Sequence, residues 1–334
     1  MIGRFWAVAA ALFAAPSAAQ APGPLQLVDV TPSVVRAWER GAGVAEAERV
    51  AAFKAELAQD LPGFYSHERV RQSQDKYDAR LLKGLNDFPA QRAGVERVSR
   101  EFQAMFTPAL SSFEDRFGPM RGYPPVYLVH SFGEFDGGTR EIAGRLTLLF
   151  GADMIDRYHA GANVQPFFHH ELFHLRHART FEECDQVWCA LWAEGLAVLV
   201  AAELNPGATD AELLLTQPEP IRPAIERDRR VAVCEVAARL DSTAAEDQAA
   251  LFSFKRLRPE LPPRFGYYVG YLAAAEARRG RTLDELASLD NAAARQAVER
   301  SLRRLADCSD PPPPGSPQAP SPETNKTSRA TAGR

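Results

Sequence analysis

Apolar positions along the chain recur mostly at helical spacing, with one interval where they do not. Thr31-Pro32 reads as an N-cap followed by proline at the first helical position. Val44, Ala47, Val50, Ala51, Leu57 and Ala58 then fall on one helical face, and Leu61-Pro62-Gly63 ends the run. Residues 64–118 keep a helical pattern, with breaks expected near Gly84 and Pro89. After Pro124-Pro125 the pattern changes. Val126–Val129 is a short β-rich run, and Leu146–Phe150 is a second, closed by Gly151. Gly133, Gly137 and Gly138 punctuate the stretch between them. Helical spacing returns at Val164 and holds to about Ala306. The implied fold class is α+β, mainly α-helical, with a small sheet placed shortly before a histidine cluster.

The two ends of the chain have a different character. Arg4, the uninterrupted apolar run Phe5–Ala15 and the small-residue sites Ser17-Ala18-Ala19 and Ala19-Gln20-Ala21 read as a cleavable export leader over 1–21. That run is too short to span a bilayer, which needs roughly 20 apolar residues. No later segment reads as long and apolar enough to do so, and the expectation is a periplasmic or secreted protein without stable membrane insertion. Past Cys308 a run of prolines opens a Pro, Ser and Thr tail, 309–334, with too little apolar surface to fold. Residues 22–308 remain as the folded domain. A net charge of −4, with Lys and Arg scattered along the chain, supplies no basic stripe for nucleic acid. Four cysteines in an oxidising compartment predict disulfides, and three pairings are open. The local one, Cys184 with Cys189, requires a turn, because residues five apart diverge on a helix.

The chemistry is concentrated in Pro166–His177, where His170-Glu171-Leu172-Phe173-His174 forms an HExxH motif. On a helix, residues four apart share a face with Cβ atoms about 5–6 Å apart, so two imidazoles can grip one metal ion. Glu171, one step round, can reach a water on that ion without ligating it, which suits a general base. Phe167, Phe168, Leu172, Phe173 and Leu175 supply the faces that bury the helix.

A catalytic zinc site needs a third protein ligand and an open position. The metzincin pattern would place glycine at 177 and histidine at 180, but His177 and Thr180 stand there. Glu194 lies 20 residues past His174 and is the only charge in the apolar helical run 187–202. A buried carboxylate is costly unless paired or bound to metal. The predicted ligands of Zn²⁺ are therefore His170, His174 and Glu194, with Glu203, Glu182 and Glu183 as rivals for the third place. His169 points about 100° away from His170, and His177 lies about 10 Å along the axis. Both are expected to be structural or supporting residues. Tyr267 and Tyr271, four apart in Arg264–Tyr271, are the candidate donors to a developing oxyanion, with His159 next in line.

Three blocks carry a resemblance: the HExxH at His170–His174, Ala193-Glu194-Gly195-Leu196-Ala197, and Gly266-Tyr267-Tyr268-Val269-Gly270-Tyr271. In order and spacing, over roughly residues 120–290, the chain resembles the uncharacterised bacterial "predicted Zn-dependent protease" domain family of the gluzincin clan. Membership would imply a zincin-like fold whose sheet edge pairs with an extended peptide above the active-site helix, the Val126–Phe150 strands taking that place. One departure stands out. Thermolysin-like enzymes carry an aspartate four residues after the glutamate ligand, and this chain has Val198. The resemblance implies hydrolysis of a peptide or protein substrate. A hydrolase of non-peptide amides or esters could use the same residues, and a non-catalytic envelope scaffold would have no need of Glu171.

Overall fold

A computed structural model describes residues 23–309 apart from Glu183, and of Ala47 only the backbone. The leader over 1–21, the tail beyond Ser309 and the rival ligand Glu183 lie outside the described residues. The chain opens with β1 (Leu27–Asp29), α1 (Thr31–Arg40), α2 (Glu46–Leu57) and the long α3 (Gln74–Phe117). Next come β2 (Val126–Val129), β3 (Gly137–Ile142), β4 (Arg145–Gly151), α4 (Ala152–His159), α5 (Gln165–His177) and α6 (Val187–Leu204). The C-terminal part is α7 (Ile221–Arg227), α8 (Arg229–Ala237), α9 (Ala245–Phe252), α10 (Phe265–Ala277), α11 (Leu283–Ala287) and α12 (Asn291–Leu305). The class is α+β, with one small mixed sheet of four strands among helices.

Several expectations are corrected at this level. Thr31 lies inside α1, Val30 holds the cap position, and the Asp29 carboxylate accepts the Thr31 N–H at 2.9 Å. Residues 64–73 are turns, and α3 then runs unbroken through Gly84 and Pro89. At Gly84 the missing side chain makes room for the Phe132 ring, which a Cβ there would meet at 2.1 Å. Pro89 has no N–H to offer the Leu85 carbonyl one turn back. The Trp38 indole N–H takes its place, donating to that carbonyl at 3.0 Å, so the proline costs no unsatisfied acceptor.

The sheet order is β1-β2-β4-β3. β1, β2 and β4 are parallel, and β3 runs antiparallel along β4 as an edge strand, from Gly137 opposite Phe150 to Ile142 opposite Arg145. The pairing of β2 with β4 agrees with the two strands read from sequence, whereas β1 and β3 were not anticipated. Phe150 on β4 meets Phe102 of α3 and both Phe167 and Phe168 of α5, which ties the sheet to the histidine helix. One contiguous apolar core extends from Leu25 to Leu302.

α6 overturns the expectation that no later segment is long and apolar enough for a bilayer. Its 18 residues have mean hydropathy 1.7, but 67% of them are buried inside the fold, where an all-apolar helix belongs in a globular core. The cysteines pair as Cys184–Cys189 and Cys234–Cys308. The first pair closes where the chain bends into α6, meeting the turn requirement, with Cα atoms 5.7 Å apart. The second ties α8 to the segment after α12 across 74 residues of sequence.

Candidate active site

α5 begins with Pro166 in its first turn, where a missing N–H costs nothing and the fixed φ suits the helix. Its phenylalanines and leucines are buried on several sides, so the helix lies inside the protein and only one strip faces a cleft. His170, Glu171 and His174 lie on that strip. The cleft holds about 880 Å³ and is walled by the start of β3, by α5, by α6 and by the first turn of α10.

A close helix crossing sets the remaining geometry. A Cβ on Gly195 of α6 would lie 2.1 Å from the Gly270 carbonyl carbon of α10, so only two glycines allow the helices this near. Glu194 immediately precedes the crossing, and Tyr267 lies one turn before it. The contact therefore delivers a carboxylate and a phenol to the same end of the cleft. Across it, Gly137 of β3 sits over α5, where a Cβ would meet Phe167 at 2.5 Å and Glu171 at 3.0 Å. The edge strand thus passes directly above the HExxH helix.

The three predicted ligands converge. His170 Nε2 lies 3.1 Å from His174 Nε2 and 3.2 Å from Glu194 Oε2, and His174 Nε2 is 3.5 Å from the same oxygen. A tetrahedral zinc with N and O ligands at about 2.0–2.2 Å holds its ligand atoms about 3.3–3.6 Å apart, so the spacing is close to what it needs. The donor set points the same way. Two Nε2 atoms at this distance cannot both carry protons aimed at each other, and a carboxylate oxygen accompanies them, so electron pairs gather at one point. Burial would raise the Glu194 carboxyl, yet the His174 and His170 imidazoles outweigh it and hold the group well below the usual carboxylate range. Side-chain exposure is 4% for His170 but 21% for His174 and 25% for Glu194, which leaves the cluster open to the cleft on one side.

Glu171 is not a member of the cluster. Burial raises its carboxyl pKa, with Glu194 and Asp136 adding to the rise and the two imidazoles opposing it. Tyr267 lies with its ring 6.4 Å from that of His170 and lines the cleft. Burial and then the Glu194 charge push its phenol far up, so the hydroxyl stays protonated and able to donate. Tyr271 is not brought to the cleft. Its ring stacks on Tyr268 at 5.8 Å and lies beside the Arg222 guanidinium, in the packing behind α10.

The other candidates fall into place around this centre. Glu203 forms an ion pair with Arg278, and neither it nor Glu182 joins the His170, His174 and Glu194 cluster or lines the cleft. His169 is held by the Ala109 carbonyl and by Asn205. His177 stacks between Phe173 and Phe181, and burial lowers its pKa to about 3, so it is a neutral packing group. His159 stacks on Phe167 with its Nε2 2.9 Å from the Asp136 carboxylate. Val198, where thermolysin-like enzymes carry an aspartate, is buried in the core.

Sequence reasoning missed Asp136, Arg140 and Arg264, all of which line the cleft. Burial would raise the Asp136 carboxyl, but the His159 hydrogen bond and charge lower it overall. Asp136 and Arg140 sit in no periodic pattern, Arg264 only heads the block that holds the two tyrosines, and the folding of β3 and α10 against α5 brings all three in. Comparison of the chain with protein-family profiles, curated proteins and solved structures finds no match.

Proposed function

We propose that this chain is an exported, zinc-dependent hydrolase of peptide bonds, a gluzincin-type enzyme on a zincin-like fold. The observation that carries the reading is the convergence of His170, His174 and Glu194 on one point, with Glu171 adjacent but outside the ligand set. Two disulfides accord with an oxidising compartment, as does the leader read from sequence.

When bound there, zinc supplies Lewis acidity and lowers the pKa of a water to about 7. Glu171, its basicity raised by burial, accepts the proton of the attacking water and hands it to the leaving nitrogen. The protonated Tyr267 hydroxyl donates to the oxyanion that develops on the scissile carbonyl. β3, an edge strand over α5, offers unpaired backbone groups to an extended substrate. A scaffold that only binds would gain nothing from a carboxylate of raised pKa beside the ligands.

Metal analysis tests the reading. Wild-type protein is expected to hold one zinc per chain, His174→Ala to lose it and Glu194→Gln to bind it far more weakly. Glu203→Gln should retain it, because Glu203 is engaged with Arg278. Equal zinc retention in Glu194→Gln and wild type would place the third ligand elsewhere.

A further inference from the structure

The cleft continues past Tyr267 into a second cavity of about 420 Å³. The two share Asp136, Leu214, Arg264 and Tyr267 as a common wall. The second cavity is of mixed polarity, with an aromatic and apolar wall formed by Phe135, Met154, Tyr158, Phe252 and Phe254. Phe254 leaves 60% of its surface in solvent, unusual for a phenylalanine and placed at this rim.

The charges along the second cavity can be accounted for one by one. Glu134 is held by Arg69 at 2.7 Å and Arg80 at 3.2 Å, and Asp136 by His159 at 2.9 Å. Arg264 remains. Its NH1 donates to the Gln217 carbonyl, and its guanidinium lies 4.5 Å from the Tyr267 ring centroid and 5.8 Å from that of Phe254. None of the ion pairs among the described residues provides it with a carboxylate. Its backbone sits at φ 62°, a left-handed conformation that a non-glycine residue seldom adopts. That conformation holds the side chain at the junction of the two cavities, beside the candidate oxyanion donor.

We infer that Arg264 is a specificity-determining residue that binds a substrate carboxylate near the scissile bond, with a large apolar side chain of the substrate in the second cavity. This rests on the hydrolase reading and narrows its substrates to peptides carrying a carboxylate and an apolar residue together. Guanidinium is the natural partner of a carboxylate, because its planar fork matches both oxygens. The carboxylate could belong to a chain terminus or to an acidic side chain, and the same fork would serve either.

The test measures binding on the full mature protein carrying Glu171→Gln, so that turnover does not intrude. Three dansylated probes are titrated by fluorescence anisotropy: Gly-Ala-Phe with a free carboxylate, Gly-Ala-Phe amide, and Gly-Glu-Phe amide. The expected result is that at least one carboxylate probe binds about 10- to 100-fold tighter than the neutral amide. The free acid winning assigns a terminal carboxylate, and the Glu probe winning assigns an acidic side chain. Adding Arg264→Gln should abolish the preference, and Arg264→Lys should keep part of it, with zinc content and circular dichroism unchanged. Equal binding of all three probes, no binding of any, or a preference that survives Arg264→Gln overturns the inference. Hydrolysis of a peptide library by wild type is scored separately. Cleavage without carboxylate preference sinks this inference alone, while the preference without cleavage sinks the hydrolase reading and leaves Arg264 as a carboxylate-binding residue.

Discussion

Gly195→Ala probes the claim that one helix crossing sets the site. The added methyl would lie 2.1 Å from the Gly270 carbonyl carbon, 2.3 Å from its oxygen and 2.5 Å from its Cα. All three atoms are backbone, so no rotamer change relieves the clash. Restoring an ordinary 3.4 Å contact requires α6 and α10 to part by about 1.3 Å. Overpacking of this kind costs roughly 1–3 kcal/mol, and rigid backbone on both sides argues for the upper part of that range. For a domain of this size each kcal/mol lowers the melting temperature by about 2 °C. The second effect is functional. Glu194 is the neighbouring residue, and metal sites tolerate errors of only about 0.2 Å in ligand position. Zinc affinity, measured by competition with a chromophoric chelator, is therefore expected to fall about 10- to 100-fold, the range seen when ligand support is lost. Gly23→Ala is the control, since a Cβ there meets nothing within 4 Å. A Gly195→Ala protein with unchanged melting temperature and zinc affinity would refute the reasoning.

Two further outcomes follow from neighbouring contacts. Tyr267→Phe keeps the ring and removes only the hydroxyl, so kcat should fall roughly 10²- to 10³-fold with KM and zinc content unchanged. Tyr271→Phe should be close to silent, because that ring packs on Tyr268 away from the cleft; undiminished kcat in Tyr267→Phe would remove the donor assignment. Arg69 holds Glu134 through both oxygens at 2.7 Å, and although burial raises the Glu134 carboxyl, this pairing lowers it overall. A depressed folded pKa stabilises the protein above the unfolded value, about 4.3, and that stability is lost as pH falls through the folded value. Arg69→Met should cost about 1–2 kcal/mol at pH 7, between the values for exposed and buried pairs, because the pair is half-buried and Arg80 remains. The gap between variant and wild type in denaturant titrations should narrow below about pH 4.3; a gap independent of pH would show that the loss is packing alone.

The clustering of His170, His174 and Glu194 was legible because their spacing is imposed by helix geometry, four residues apart on one helix and a lone charge on the next apolar one. The two histidines outside the cluster were legible for the same reason, since rotation and rise per residue exclude them. Where tertiary contacts override local signals, sequence reading failed. Pro89 reads as a break until Trp38 is seen to satisfy the carbonyl it orphans. Gly137-Gly138 reads as loop because a strand with no side chains at its start has no alternation to detect; the bare Gly137 lets β3 pass over Phe167 and Glu171, and Gly138 takes a positive φ. Tyr267 and Tyr271 look equivalent on a helical wheel, and only the packing of α10 sends one to the cleft and the other to Tyr268. Arg264 and Asp136 carry no motif, and neighbours distant in sequence give them their place.

The central claim, zinc-supported hydrolysis with Glu171 as base, is tested most directly by comparing wild type and Glu171→Gln in one preparation. Zinc content is read by elemental analysis and turnover on a quenched-fluorescent peptide library, with and without chelator. Glu171→Gln should bind zinc as wild type does and lose at least about 10²-fold in turnover, while chelation silences wild type and added zinc restores it. Turnover by Glu171→Gln at the wild-type rate, or by chelated wild type at its full rate, would contradict the account.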